Sequence, residues 1–144
     1  MASVSFRFWY PRDFIGHAVC WKTNSDISHC SIVIDGLEIE ALPGTEVDFR
    51  APKPFEGRSY DFELDTDKAN LGLSYLRSKV GEGYDYKLLG SFIFPWVRGD
   101  ERRVICSELV YGMGRACGIF PDIPSVPTPY DLELLAIQRK FDNL

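Results

Sequence analysis

The residues able to do nucleophilic chemistry in this chain lie far apart: four cysteines and two histidines in 144 residues. Cys106 follows the β-branched pair Val104-Ile105 and opens a run with helical spacing. Val110, Met113 and Cys117 come four, seven and eleven residues later, so all four share one side of a helix. The spacing puts Cys106 in the first turn, with its thiol on the inward-packing face. A first turn carries unpaired backbone N–H groups and the positive end of the dipole, and both favour a thiolate. The thiolate is the nucleophilic form of cysteine. The chemistry expected is that of a cysteine hydrolase with Cys106 as nucleophile. The competing structural reading is that Cys106 fills space, as buried free cysteines commonly do.

Such a hydrolase also needs a base, and a polar group to orient it. The only histidines are His17 and His29. Around His29 the chain has a strong local signal. Residues 28–34 and 37–42 are β-rich runs that flank Asp35-Gly36, a two-residue hairpin loop. The loop fixes the register. Ile34 then faces Leu37, Val33 faces Glu38, Ile32 faces Ile39, Ser31 faces Glu40 and Cys30 faces Ala41. One face (Cys30, Ile32, Ile34, Leu37, Ile39, Ala41) is apolar and is expected in the core. The other carries His29, Ser31, Val33, Glu38 and Glu40.

On that second face Glu40 lies diagonally across from His29, about 7–8 Å away between backbones and within side-chain reach. His29 is therefore the expected base. Glu40 would accept from one ring nitrogen and leave the other to face Cys106. Glu38 has the same strand parity, one pair further off. The alternatives are a strand-end histidine bonded to solvent and carboxylates on a solvated strand face. Glu108 points to a different side of its helix and reads as a helix-dipole partner.

A metal centre is the rival constellation. His17 and Cys20 would be neighbours on a helix, and Cys30 and Cys106 could add thiolates. No ligand spacing resembles a structural zinc motif, and His29 and Cys30 point to opposite strand faces. There is no GxxxxGK[ST] and no GxGxxG loop. No metal and no cofactor are expected.

The elements that must position these residues read as follows. Residues 4–9 are a strand, and residues 13–21 a helix with Phe14, Ala18 and Trp21 on one side. Residues 43–57, rich in Pro, Gly and charge, read as a surface loop. Residues 60–64 alternate as a half-buried strand. A helix capped by Asp65 or Thr66 runs to about Val80, with Leu71, Leu73, Leu76 and Val80 as its apolar side, and Gly81 and Gly83 end it. Residues 86–96 are apolar and read as a short buried helix. In the Cys106 helix, Gly112 and Gly114 imply close packing of another element, and Gly118 suits its end. Thr128-Pro129-Tyr130-Asp131 is a helix start, after which Leu132, Leu134 and Leu135 bury.

Composition narrows the class. The chain is 45% hydrophobic with a net charge of −5, which fits one domain with a real core and no nucleic-acid footprint. No apolar run approaches the ~20 residues of a membrane helix, and the first ten residues lack the pattern of a secretory signal. Reduced thiols in a cytoplasmic setting are the expectation. Oligomeric state is not legible.

Taken in order, Ser28-His29, Glu40-Ala41, Gly83-Tyr84-Asp85-Tyr86, Ile105-Cys106-Ser107-Glu108-Leu109-Val110 and Thr128-Pro129-Tyr130-Asp131-Leu132 resemble the circularly permuted NlpC/P60 superfamily. Within it the chain looks most like the YiiX/YaeF-like permuted papain-fold amidases, and more distantly like lecithin retinol acyltransferase-like enzymes. The order His29, Glu40, Cys106 is that of the permuted branch. The resemblance implies a single α+β domain over residues 1–144, papain-like, with a small antiparallel sheet packed against the nucleophile helix. It implies Cys106 as nucleophile, His29 as base, Glu40 as the third residue, and an acyl-enzyme from an amide, peptide or acyl-ester substrate. The alternatives within this reading are a thioesterase or acyltransferase on acyl chains, and a non-catalytic binding protein that keeps the fold.

Overall fold

The computed structural model describes residues 2–11, 20–21, 26–27, 29–41, 46–51, 59–84, 103–104, 106–124 and 127–142. They form an α+β structure. Five strands, β1 (Ala2–Trp9), β2 (His29–Ile34), β3 (Leu37–Glu40), β4 (Asp48–Arg50) and β5 (Ser59–Thr66), make one sheet in the order β4-β3-β2-β1-β5. Every neighbouring pair in it is antiparallel. Three helices follow in sequence: α1 (Ala69–Lys79), α2 (Cys106–Ala116) and α3 (Pro129–Asp142). Between the first two, β6 (Gly83–Tyr84) pairs in parallel with β7 (Arg103–Val104).

The hairpin forms as its loop requires. Asp35 and Gly36 both have positive φ, at 51° and 74°, the signature of a primed two-residue turn. Ile34 pairs with Leu37, Val33 with Glu38 and Ile32 with Ile39. Cys30, Ile32, Ile34, Ile39 and Ala41 enter the core, where Val4, Phe6 and Phe8 of β1 and Leu64 of β5 join them. Leu37 does not: beside the turn it stands exposed.

The helices cover this face. Val110, Met113 and Cys117 supply the inward side of the α2 segment, as their spacing predicts, joined by Leu109, and Leu76, Leu132 and Ala136 come from α1 and α3. Phe6 meets Phe120, just beyond α2, with ring centroids 5.2 Å apart. Gly118, at φ 74°, lets the chain turn out of α2.

Several expectations give way here. The segment read as a loop contains β4, whose Phe49 pairs with Ile39; three residues are too short for a periodic signal. Thr66 is the last residue of β5 rather than a helix cap. Its hydroxyl donates to the Cys117 carbonyl and accepts from the Lys68 N–H, and α1 begins at Ala69. In α1 only Gly72, set against Met113 and Cys117 of the α2 segment, and Leu76 are buried, while Leu71 and Val80, the residue that caps the helix, are exposed. Leu134 is exposed, since two helical residues from Leu132 is the opposite side. The start of α3 is a reciprocal cap: Asp131 N–H donates to Thr128 Oγ1 at 3.2 Å and Thr128 N–H to Asp131 Oδ2 at 2.9 Å. The helix expected over residues 13–21, apart from Cys20 and Trp21, and the one over residues 86–96 lie outside the described residues.

Candidate active site

Cys106 is the first residue of α2, and His29 the first residue of β2. The two elements begin at the same place. The Cys106 thiol and the His29 ring each shift the other's protonation, and Cys30, the next residue of β2, acts on the same sulfur. Successive strand residues project to opposite faces. Both nevertheless act on the one sulfur. Cys106 is 7% exposed and belongs to the edge of the core cluster, so the sulfur is nearly but not fully covered.

Glu40 completes the arrangement. Its Oε2 lies 2.6 Å from His29 Nε2, across the hairpin diagonal. The carboxylate is buried, not on a solvated strand face. Glu38, of the same parity, is committed elsewhere: its Oε2 accepts from Arg7 Nη1 at 3.0 Å and from Ser31 Oγ at 3.1 Å. The hairpin register thus separates the two glutamates into different partnerships. Glu108, in the first turn of α2, lies toward Tyr75, whose phenol burial first, then the charges of Glu108 and Glu82, push up to about 12.

The electrostatics follow from these contacts. The Cys30 thiol hydrogen bond, with the charge and hydrogen bond of His29, holds the Cys106 thiol well below the ordinary cysteine range, against burial, which acts the other way. For His29, burial disfavours the charged ring. The charge and hydrogen bond of Cys106, and then those of Glu40, override it and push the imidazole up to about 9. The two shifts run in opposite directions, the sulfur toward thiolate and the ring toward imidazolium. Cys30 goes the opposite way: burial first, then the Cys106 sulfur and Glu40, keep it a protonated thiol.

Behind His29 the sheet carries a buried polar relay that the hairpin pattern alone does not reveal. Trp9 is the cross-strand partner of His29 on β1. Its Nε1–H donates to Ser31 Oγ at 3.1 Å, and the Arg7 guanidinium lies 5.8 Å from the Trp9 ring centroid. Arg7 also grips Asp61 of β5 through Nε at 2.7 Å and Nη2 at 3.1 Å. The available signal was the parity of β1: Phe6 and Phe8 point to the core, so Arg7 and Trp9 must share the face of His29.

A cavity of about 480 Å³ lies beside this end of the sheet, lined by Tyr10, Cys20, Trp21, Asp26, Ile27, Tyr130 and Glu133. Trp21 is 80% exposed. Among the described residues no three His, Cys, Asp or Glu side chains gather as a metal-binding group, and His17 lies outside them. No helix of the described residues is long and apolar enough to cross a membrane. Neither a protein-family model nor a curated protein matches this chain.

Proposed function

We propose that the protein is a cysteine hydrolase of papain-like architecture that cleaves an amide or peptide bond through Cys106, His29 and Glu40. The observation that carries this reading is the His29 imidazole 2.6 Å from the buried Glu40 carboxylate, on a ring whose protonation the Cys106 thiol also favours. The order of the motifs, similar to that of the permuted NlpC/P60 superfamily, supports it independently.

In the proposed reaction the Cys106 thiolate attacks the carbonyl carbon. The developing oxyanion is held in part by the Cys106 backbone N–H at the start of α2. The His29 imidazolium gives its proton to the leaving amine, which departs and leaves a thioester. Neutral His29 then takes a proton from water, the hydroxide attacks the thioester, and the acid and the Cys106 thiolate separate as the proton stays on His29. Glu40 orients the ring and stabilises its charge throughout. A reducing, cytoplasmic setting suits a resting thiolate.

A thioesterase or acyltransferase on acyl chains is the second reading. The exposed side chain of Trp21 favours it, although the adjoining cavity also carries the carboxylates of Asp26 and Glu133. The test is alkylation of the chain by iodoacetamide across pH, followed by hydrolysis of peptide, murein-fragment and lipid-ester libraries. Fast labelling of Cys106 near neutral pH, slowed by His29→Ala, is expected, with turnover of amides that Cys106→Ala abolishes. Turnover of esters alone selects the second reading. Slow labelling at Cys106 and no turnover leave a non-catalytic binding protein.

A further inference from the structure

The cavity beside the candidate active site has a mixed lining, part aromatic and part acidic. It encloses about 480 Å³, room for a small organic molecule. Ile27 of its wall lies just before β2, and Tyr10 follows Trp9, the cross-strand partner of His29. Three aromatic residues line it, Tyr10, Trp21 and Tyr130, and the Trp21 side chain is largely exposed. Two carboxylates line it as well, and they come from separate parts of the chain. Asp26 precedes β2, and Glu133 belongs to α3. The Tyr60 hydroxyl of β5 donates to Glu133 Oε2 and fixes that carboxylate in place. Among the described residues no cationic side chain pairs with either carboxylate.

We propose that this cavity binds a quaternary organic ammonium ion, its charge met by Asp26 and Glu133 and its methyl groups by Tyr10, Trp21 and Tyr130. A quaternary nitrogen has no N–H to satisfy and spreads its charge over apolar methyl groups. Aromatic rings attract such a cation through their negative faces and cover its carbon surface at the same time. The carboxylates supply the opposite charge. The other occupants fit less well. An acyl chain would strip water from both carboxylates and put no partner in its place. A hard divalent metal wants six or more oxygen ligands, and among the described residues no three metal-binding side chains gather.

The electrostatics agree with this geometry. Burial first, then the charge of Asp26, pushes the Glu133 carboxyl up, so a cation entering the cavity relieves a repulsion already present. Cys20, also in the lining, is held as the neutral thiol by burial and the charge of Asp26. The inference does not rest on the hydrolase reading, since neither Cys106, His29 nor Glu40 is among the lining residues.

The test titrates the folded full chain with choline and, separately, with 3,3-dimethylbutan-1-ol, the uncharged isostere with carbon in place of nitrogen. Both titrations run at neutral pH and constant ionic strength. The readout is the Trp21 indole N–H signal in NMR, assigned by Trp21→Phe. A saturable shift with choline is expected, at an affinity roughly tenfold or more above that of the alcohol. Asp26→Asn combined with Glu133→Gln is expected to weaken choline binding about tenfold and to leave the alcohol unaffected. Neither side chain belongs to the core cluster, and an unchanged amide spectrum checks the fold. Should the double variant fail to fold, Asp26→Asn alone, at an exposed position, carries the comparison. Equal affinity for the two probes, no saturable shift with choline, or choline affinity unchanged by the carboxylate substitutions overturns the proposal. Cys106→Ala is expected to bind choline as the wild type does. A chain that binds choline but hydrolyses nothing supports this inference and defeats the hydrolase reading; hydrolysis without choline binding does the reverse.

Discussion

Glu40 Oε2 and His29 Nε2 stand 2.6 Å apart, with the carboxylate side chain 3% exposed and the imidazole 18%. A charge-assisted bond this short and this dry ties the protonation of the ring to the charge of the glutamate. Glu40→Gln keeps the shape and removes the charge. Titration of the His29 ring by NMR is expected to show a midpoint below the wild-type value of about 9, and alkylation of Cys106 at neutral pH is expected to slow. A midpoint unmoved by the substitution would show that Glu40 does not support the charged ring.

His29 and Cys106 together tie stability to pH. His29 has a folded pKa raised to about 9 from about 6.5, so its contribution is complete below pH 6.5 and is lost as pH rises toward 9. Cys106 has a depressed folded pKa, so its contribution is complete above the unfolded thiol value, about 8.5, and is lost as pH falls. Between roughly pH 6.5 and 8.5 the two slopes cancel, because folding only moves one proton from sulfur to imidazole. Below about 6.5 the unfolded chain holds the extra proton and the pair's contribution falls. Urea midpoints measured against a His29→Ala/Cys106→Ala double variant are expected to give a difference that is flat from pH 6.5 to 8.5 and shrinks below that range.

Arg7 is the hinge of the polar relay, bonded to Glu38 and to Asp61 from the centre of β1. Glu38 is 3% exposed. Arg7→Met strips a buried carboxylate of its cation, and a loss of about 3–5 kcal/mol is expected in denaturant unfolding. Arg7→Met combined with Glu38→Gln is expected to lose less than the sum of the two single changes, since no buried charge is then stranded. Strict additivity in that cycle would mean the pair is not coupled.

Gly114 faces the Phe120 ring so closely that an added Cβ would overlap it, and Phe120 is itself buried against Phe6. Gly114→Ala is expected to cost about 1–3 kcal/mol by overpacking, although helix propensity alone would favour alanine by about 1 kcal/mol. Gly112 instead faces the hydroxyl end of Tyr75, the far end of a half-buried side chain. Gly112→Ala is expected to be much milder. Thermal unfolding of the two variants separates a rigid neighbour from a yielding one.

Much of this chain is written locally. Asp35-Gly36 dictates a primed turn, the turn dictates the register, and the register puts Glu40 rather than Glu38 beside His29. Spacing alone also placed Cys106 at the head of a helix with Val110, Met113 and Cys117 on its buried side. These features depend on dihedral preferences and on periods of two and 3.6 residues, which neighbours in sequence are enough to set.

Other features required the assembled sheet and helices. β4 is too short to announce itself, and the face of Ser31, Glu38 and Glu40 is buried only because Arg7, Trp9 and Asp61 arrive from other strands to pair with it. That Cys30 and Cys106 share one buried cluster is likewise a property of how α2 docks. Burial and charge pairing are sums over groups distant in the chain, so no window of sequence contains them. The pattern of residues could nominate the sulfur, the ring and the carboxylate, but the proton's place among them is set by desolvation and by contacts that exist only in the folded molecule.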